Sequence, residues 1–308
     1  MEKVSIIIIT YNRKDKLESL LNSLLKQTYK SFEVVVIVDG SSDGTDELLQ
    51  NYQSKFDSLR FEVHQNSGRS FSRNKGAALA SGNLLIFFDD DMEILPDCIY
   101  QHVHHHQVHP QSICVGTQEE CEAKIVNDFD QYRYDVGQLW EQNIVAESKI
   151  IPRFYTYLTA AHFSVEQSDF MKLGGFEEKL DVGEDFDLAV RAQDLNISLY
   201  YCPKNRAFHN NVLTCMAFVK KQNEYYTGYQ KLTQLKPDTL NKYSATTFYD
   251  PSILKRIIYF VVANPKMVRL IDQEFFVSVL PRKWRYFFYS IVITGISRVY
   301  PYRLKKLY

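Results

Sequence analysis

The chain has 308 residues, 45% of them hydrophobic and 24% charged, an ordinary balance for a globular protein and enough length for one large domain or two smaller ones. Its net charge of −1 conceals an asymmetry, because residues 255–308 carry 11 Lys/Arg against 2 Asp/Glu while the preceding residues carry 25 against 35. The acidic body, with no recognition motif, argues against nucleic acid as a partner, and the basic, aromatic-rich end points instead to an anionic membrane surface.

The amino terminus, MEKVSIIIIT, is too short an apolar stretch for a signal peptide and reads as the entry to a buried strand over Val4–Ile9. Asn12 is placed to cap a helix in which Leu17, Leu20, Leu21, Leu24 and Leu25 recur at helical spacing. Phe32–Val38 is a second strand, and Ser42 or Asp43 opens a helix containing Leu48, Leu49 and Tyr52. Arg60–His64, a helix over Ser70–Ala80, and the strand Leu84–Phe88 follow, and Pro96 then leads into a helix over Cys98–His109. Strands separated by helices of this length predict an α/β fold, a mostly parallel sheet with helices on both faces.

Periodicity fades from Glu119 to Arg153, which reads as an insertion or an irregular helical segment. Ala161–Val165 is strand-like, a helix begins near Glu184, Ser198–Cys202 is a further strand, and the chain beyond Thr214 looks helical and aromatic. The expected division is a catalytic domain over residues 1–213 and a helical region over 214–308. The hexad HVHHHQ (102–107) would scatter around a helix axis, so it is expected at the surface. The five cysteines, Cys98, Cys114, Cys121, Cys202 and Cys215, form no C-x-x-C pair; neither a zinc site nor a disulfide framework is expected, and a reducing compartment is.

A parallel sheet binds ligands beyond the carboxyl ends of its strands. The loops expected there are TYNR (10–13), DGSSDGT (39–45), NSGRSFSRNKG (66–76) and DDD (89–91). Three consecutive aspartates after Leu84–Phe88 repel one another, so either water takes up the charge or a cation does. A hard divalent ion, Mg²⁺ or Mn²⁺, held by one or two carboxylates and diphosphate oxygens fits that pattern; a helix-capping acidic turn before Pro96 is the alternative. Arg73 offers a permanently charged fork for phosphate or base, and Asp39 an acceptor for a base or ribose donor. GEDFDL puts Glu184, Asp185 and Asp187 in a first helical turn, where the helix dipole favours anions.

Taken in order, TYNR, DGSSDGT, R-N-x-G, DDD, GGF and GED-x-DL resemble the family 2 inverting glycosyltransferases of the GT-A fold, over about residues 3–210. The resemblance implies that Thr10, Tyr11 and Arg13 line the nucleotide base, that Asp39 bonds it, and that Arg73 and Asn74 close over nucleotide and ribose. It places Asp89 and Asp91 as the outer members of a D-x-D motif, with Asp91 on the metal and Asp89 or Asp90 near the ribose. Asp185, with Glu184 beside it, matches the catalytic base, and His209 falls where some members place a further metal ligand. The implied donor is a nucleotide-diphosphate sugar, a UDP-sugar by default, and the implied acceptor a hydroxyl of a glycan or lipid-linked molecule. Two departures stand out: Met92 replaces a fourth acid, and Thr159–Ser164 lacks the small-residue-plus-Asn pattern of relatives. Rival readings are a sugar nucleotidyltransferase, which would need a glycine-rich basic loop where TYNR stands, and a catalytically silent scaffold of the same fold.

In the basic end, the runs IIYFVVA and YFFYSIVITGIS sit among Lys255, Arg256, Arg282, Lys283, Arg285, Arg303, Lys305 and Lys306, with Trp284, Phe287 and Phe288 beside the cations. Interfacial helices on anionic lipid use this composition; a helical subdomain with a solvated basic rim is the alternative. The longest uncharged run there, Tyr286–Ser297, has 12 residues against the ~20 of a spanning helix. No transmembrane segment is expected, and peripheral attachment to the cytoplasmic face of the membrane is.

Overall fold

In the structure, a computed structural model describing residues 3–120, 122, 125–144, 149–151, 156–209, 213–238 and 251–307, the chain divides into two compact units. The first joins Met1–Glu120 to Gln142–Asn210 and the second joins Cys121–Glu141 to Asn211–Tyr308. The aperiodic stretch after Glu119 contributes to the second unit, which is therefore not continuous in sequence.

The first unit runs β1 (Val4–Thr10), α1 (Lys14–Leu25), β2 (Phe32–Asp39), α2 (Thr45–Gln53), β3 (Leu59–His64), α3 (Arg69–Leu79) and β4 (Leu84–Asp89). It continues with β5 (Met92–Ile94), α4 (Cys98–Val108), β6 (Ser112–Val115) and, past α5 (Asp128–Ile144), β7 (Lys149–Ile150), β8 (His162–Glu166), α6 (Gln167–Lys172), α7 (Glu184–Asp194), β9 (Ser198–Tyr201) and β10 (Ala207–His209). Eight strands form one sheet in the order β3-β2-β1-β4-β8-β6-β9-β7. Strands β1 to β4 pair in parallel, β8 runs antiparallel to both β4 and β6, and β7 pairs antiparallel with β9.

Alternation along the strands sorts the core into two layers. Ile6, Ile8, Val34 and Val36 pack with Leu17, Leu20 and Leu21 of α1 and with Ile99 and Val103 of α4. Ile7, Val35, Leu85 and Phe87 pack on the other face with Phe170 of α6 and Leu188 and Ala189 of α7. Both faces of the central strands are covered, which is why their sequences read as continuous apolar runs.

Two expectations need correction. Asn12 does not cap α1: it sits at φ 50° and its Oδ1 accepts from the Ser42 N–H at 2.8 Å, tying the β1 loop to the β2 loop. The start of α1 is instead served by Asp43, which accepts from the Lys14 N–H at 2.9 Å. The histidine hexad is not a surface tract, because His102, His105 and His106 are buried and only His104 of the four is exposed. They lie on the same face of α4 as Cys98, Ile99 and Val103, and each ring meets a serine hydroxyl through one nitrogen, His102 and His106 at Ser164 and His105 at Ser112, which lowers the cost of burying it.

The second unit is helical. Asn127 accepts from the Asp130 N–H at 2.8 Å to begin α5, which gathers with α8 (Cys215–Leu235), α9 (Ile253–Val262), α10 (Pro265–Asp272) and α11 (Arg282–Thr294) around Phe129, Tyr259, Ile271, Tyr289 and Val292. Arg285 grips Asp128 with two nitrogens at 3.0 and 2.6 Å and Tyr289 donates to the same carboxylate at 2.8 Å, fixing α11 to α5. Among the described residues no helix is long and apolar enough to cross a membrane.

Candidate active site

The carboxyl ends of β1, β2 and β4 deliver Thr10, Asp39 and Asp89 to one edge of the sheet. The triple aspartate divides its partners there. Asp89 accepts from Arg73 at 2.8 Å. Asp90 turns back toward β1, accepting from the Thr10 hydroxyl at 2.8 Å and from Arg13 at 3.1 Å. Asp91 faces Arg13 at 3.2 Å, Lys16 at 3.8 Å and His209 at 3.3 Å.

The last contact follows from register. Immediately after the aspartates, β5 pairs antiparallel with β10 and sets Met92 opposite His209, so the imidazole falls beside Asp91. Met92 is itself fully buried in the core of the first unit. The Oδ1 atom of Asp91 is buried and has no hydrogen bond among the described residues, the His209 Nε2 lying nearby off hydrogen-bonding geometry. A buried carboxylate oxygen left without a donor is expensive. The Asp91 carboxylate and the His209 imidazole, 3.3 Å apart, offer oxygen and nitrogen donors of the kind that suit Mn²⁺ or Mg²⁺, while Asp89 is ion-paired to Arg73.

Electrostatics separate the three acids. Burial pushes the Asp90 carboxyl up to about 6, with repulsion from Asp91 adding to it and Arg13 opposing it. Burial also raises Asp91, but His209, Arg13 and Lys16 outweigh that and hold it well below the usual carboxylate range. Asp91 therefore ionises well before Asp90 as pH rises.

Arg73 is the hub on the other side. It is buried, and its two terminal nitrogens reach Asp89 and Glu184 at 2.8 Å each. Glu184 opens α7 after Gly183, whose φ of 86° only glycine adopts readily. With Arg73 ion-paired to Glu184 and Asp89, the adjacent Asp185 has no cation within ion-pair distance among the described residues. Its Oδ1 accepts from the Phe186 N–H at 2.7 Å, and its carboxylate also meets the Ala160 N–H. Burial and the Glu184 charge push Asp185 up to about 7, against the pull of those N–H donors and Arg73. Asp185 keeps partial contact with solvent, which leaves it accessible to a proton donor.

Asp39 ends β2 buried, accepting from the Ser67 N–H at 2.7 Å and the Gly68 N–H at 3.2 Å, with the His64 ring at 3.4 Å. Gly68 reaches this geometry at φ 93°. Tyr11 is half exposed in the loop after β1. Asn74 lies apart from the aspartates: its amide donates to the Phe176 carbonyl at 2.9 Å and accepts from the Phe176 N–H at 2.8 Å, holding the GGF segment against α3. Sequence reasoning missed Lys16, legible as the i+3 partner of Arg13, and the Ala160 contact to Asp185, which no local pattern announces.

Residues 5–172 match the family model described as glycosyl transferase family 2. A GalNAc(5)-diNAcBac-PP-undecaprenol beta-1,3-glucosyltransferase of Campylobacter jejuni is 38% identical over 97 residues, 31% of this chain and 31% of its own. A glucosyl-dolichyl phosphate glucuronosyltransferase of Haloferax volcanii is 26% identical over 214 residues, 68% of this chain and 66% of its own. The chain thus spans about a third to two thirds of the length of these relatives. Among solved structures, the mannosyltransferase PcManGT from Pyrobaculum calidifontis in complex with GDP-Man and Mn²⁺ superposes with a TM-score of 0.63 at 16% identity, covering 99% of this chain and 88% of its own. The S. aureus TarS fragment 1–349 in complex with UDP-GlcNAc superposes with a TM-score of 0.54 at 19% identity, covering 99% and 93%. From the family model over more than half its length, the chain belongs to glycosyl transferase family 2.

Proposed function

We propose that the protein is a metal-dependent inverting glycosyltransferase that moves a sugar from a nucleotide diphosphate, UDP by preference, to a hydroxyl of a glycan or lipid-linked acceptor. The observation that carries this reading is the split between Glu184, ion-paired to Arg73, and Asp185, which keeps a raised pKa at the same edge as the aspartates. The names of the Campylobacter and Haloferax relatives, both acting on lipid-linked substrates, support the acceptor class.

Asp185 takes the proton of the acceptor hydroxyl as that oxygen attacks the anomeric carbon, while the bond from that carbon to the nucleoside diphosphate breaks on the opposite face. Configuration inverts, and positive charge builds on the sugar as it does in glycoside hydrolysis. Asp39 orients the base, and Tyr11 and Thr10 flank it. Arg73 holds Asp89 and Glu184 in place and so keeps the base carboxylate next to the donor edge. Asp91, Asp89 and His209 would hold a divalent ion, which when bound supplies Lewis-acid stabilisation of charge on the departing diphosphate. Exposed apolar and basic residues of the second unit support attachment to an anionic membrane surface on the cytoplasmic side, where a lipid-linked acceptor would be presented.

Thermal denaturation with UDP, GDP, dTDP and CDP, each with and without Mn²⁺, tests the donor site. A ligand at a hundredfold excess over its dissociation constant stabilises by ~2.7 kcal/mol. A metal-dependent rise with UDP in the wild type, absent in Asp91→Asn, is the expected result; no rise with any nucleotide would refute the reading.

A further inference from the structure

The buried histidines of α4 meet cysteines at two places. Cys98, His102 and His162 converge in one triad, and His105, Cys114 and Cys202 in another. The first is explained by hydrogen bonds. The His102 and His162 Nε2 atoms are 2.9 Å apart, His162 Nδ1 is 2.7 Å from the Thr117 carbonyl, and His102 Nδ1 is 2.8 Å from the Ser164 hydroxyl. One proton ordering satisfies all of them: His162 donates to Thr117, His102 donates to His162, and Ser164 donates to His102.

The second triad has a different character. Tetrahedral zinc with bonds of ~2.3 Å to sulfur and ~2.0–2.1 Å to nitrogen separates its ligand atoms by about 3.5 Å for S···N and about 3.3 Å for N···N. The Cys202 Sγ to His105 Nδ1 distance is 3.4 Å, close to that edge; Cys98 Sγ stands equally 3.4 Å from His162 Nε2, but the 2.9 Å between the His102 and His162 nitrogens is a hydrogen-bond distance, shorter than two ligands of one zinc adopt. The outer atoms are those a bound ion uses to orient its ligands. His105 presents Nδ1 inward while its Nε2 is fixed 3.1 Å from the Ser112 hydroxyl, and the Asn205 amide donates to Cys114 Sγ at 3.1 Å. Three elements contribute, α4, β6 and the turn after β9, and all three ligands are buried.

We propose that His105, Cys114 and Cys202 form a structural site for a thiophilic divalent cation, zinc, sharing no residue with the candidate active site. Binding releases the two thiol protons, and the two thiolates cancel the 2+ charge, so the assembled centre is neutral in a dry interior. The site ties the segment from Cys202 toward His209 to α4 and β6. This inference does not depend on the catalytic reading.

The test uses the full chain, purified under thiol reductant, dialysed against metal-free buffer and assayed by elemental analysis. One zinc per chain is expected in the wild type and in Cys98→Ser, and none in Cys114→Ser or Cys202→Ser. Cobalt exchanged into the wild type should give a thiolate-to-cobalt charge-transfer band that persists in Asp91→Asn, since carboxylate ligands produce no such band. Circular dichroism identifies any variant that fails to fold, and the wild-type measurements stand without the variants. Substoichiometric zinc with no cobalt band in folded wild type would overturn the proposal, as would loss of the metal in folded Cys98→Ser.

Discussion

Arg73 and Glu184, 111 positions apart in sequence, stand with Nη1 and Oε1 2.8 Å apart in the interior of the first unit. That bond divides the labour between two adjacent acids. Glu184 is committed to a permanent cation, and Asp185, whose ionisation Glu184 opposes, is the carboxylate we propose as the proton acceptor.

Replacing Asp185 by Asn should lower kcat by ~10²–10⁴, the usual contribution of a general base, with nucleotide binding retained. Glu184→Gln should act differently. It removes the like charge that raises Asp185 and leaves Arg73 free to attract it, so the acid limb of the pH–rate profile, expected near pH 7 in the wild type, should move to lower pH. An unshifted limb in Glu184→Gln, or full turnover in Asp185→Asn, would contradict the assignment; pH-dependent initial rates read both.

The same carboxylate should weaken the fold as pH rises. A folded pKa of about 7 against an ordinary ~3.9 means the folded state holds the extra proton between those values, so stability falls as pH increases from about 4 to 7. Asp185→Asn removes that penalty and should raise Tm at pH 8 with little change at pH 4. Even about 1 kcal/mol of relief reads as ~2–4 °C. Scanning calorimetry at the two pH values checks the sign.

Glu33 makes the opposite prediction at the far end of the sheet. It is buried and accepts from the Ser5 hydroxyl, the Ser81 N–H, the Ser81 hydroxyl and Arg60, all at 2.6–2.7 Å. Burial alone would raise its pKa, but these donors bring it down to about 2. Its stabilisation is present above an ordinary glutamate pKa of ~4.3 and is lost as pH falls toward 2. Glu33→Gln should cost about 1–3 kcal/mol at pH 7, less at pH 3, and leave kcat unchanged. Urea unfolding at the two pH values measures it.

What the sequence made legible, and what it did not, follows one physical division. The strands and their polar ends were readable because burial on both faces leaves uninterrupted runs such as Ile6–Ile9, and turn chemistry follows each run. Arg73 and Asp185 were placed by motif order, but the ion pair that assigns Glu184 a supporting role depends on a contact across 111 residues. The β5–β10 pair was invisible because three-residue strands carry no period, and with it the reason His209 meets Asp91. The α4 histidines were misplaced at the surface because their burial rests on Ser112, Ser164 and Cys202, all supplied by other elements.

The second unit carries the remaining prediction. Helix α9 exposes Ile253, Leu254, Ile257, Phe260 and Val261 by 57–80%, and only Tyr259 of its ten residues is buried. Trp284 and Phe287 of α11 are likewise exposed, by 61% and 58%, beside exposed Lys283. Apolar side chains standing in water at that density mark an interaction surface, and the +9 balance of residues 255–308 is the ground for the proposed anionic partner. Co-sedimentation with vesicles containing phosphatidylglycerol should exceed that with phosphatidylcholine alone and weaken with salt. Each basic residue near such a surface contributes ~1 kcal/mol, so Lys266→Ala with Lys283→Ala should lower partitioning ~30-fold at low salt. Ile257→Glu with Phe260→Glu should abolish it, because both side chains would have to enter the acyl boundary. The nucleotide-dependent rise in Tm should be unchanged in both double variants, since the residues proposed to bind the donor all belong to the first unit. Equal partitioning onto neutral and anionic vesicles would leave the apolar face as a site for another protein and remove the electrostatic part of the argument.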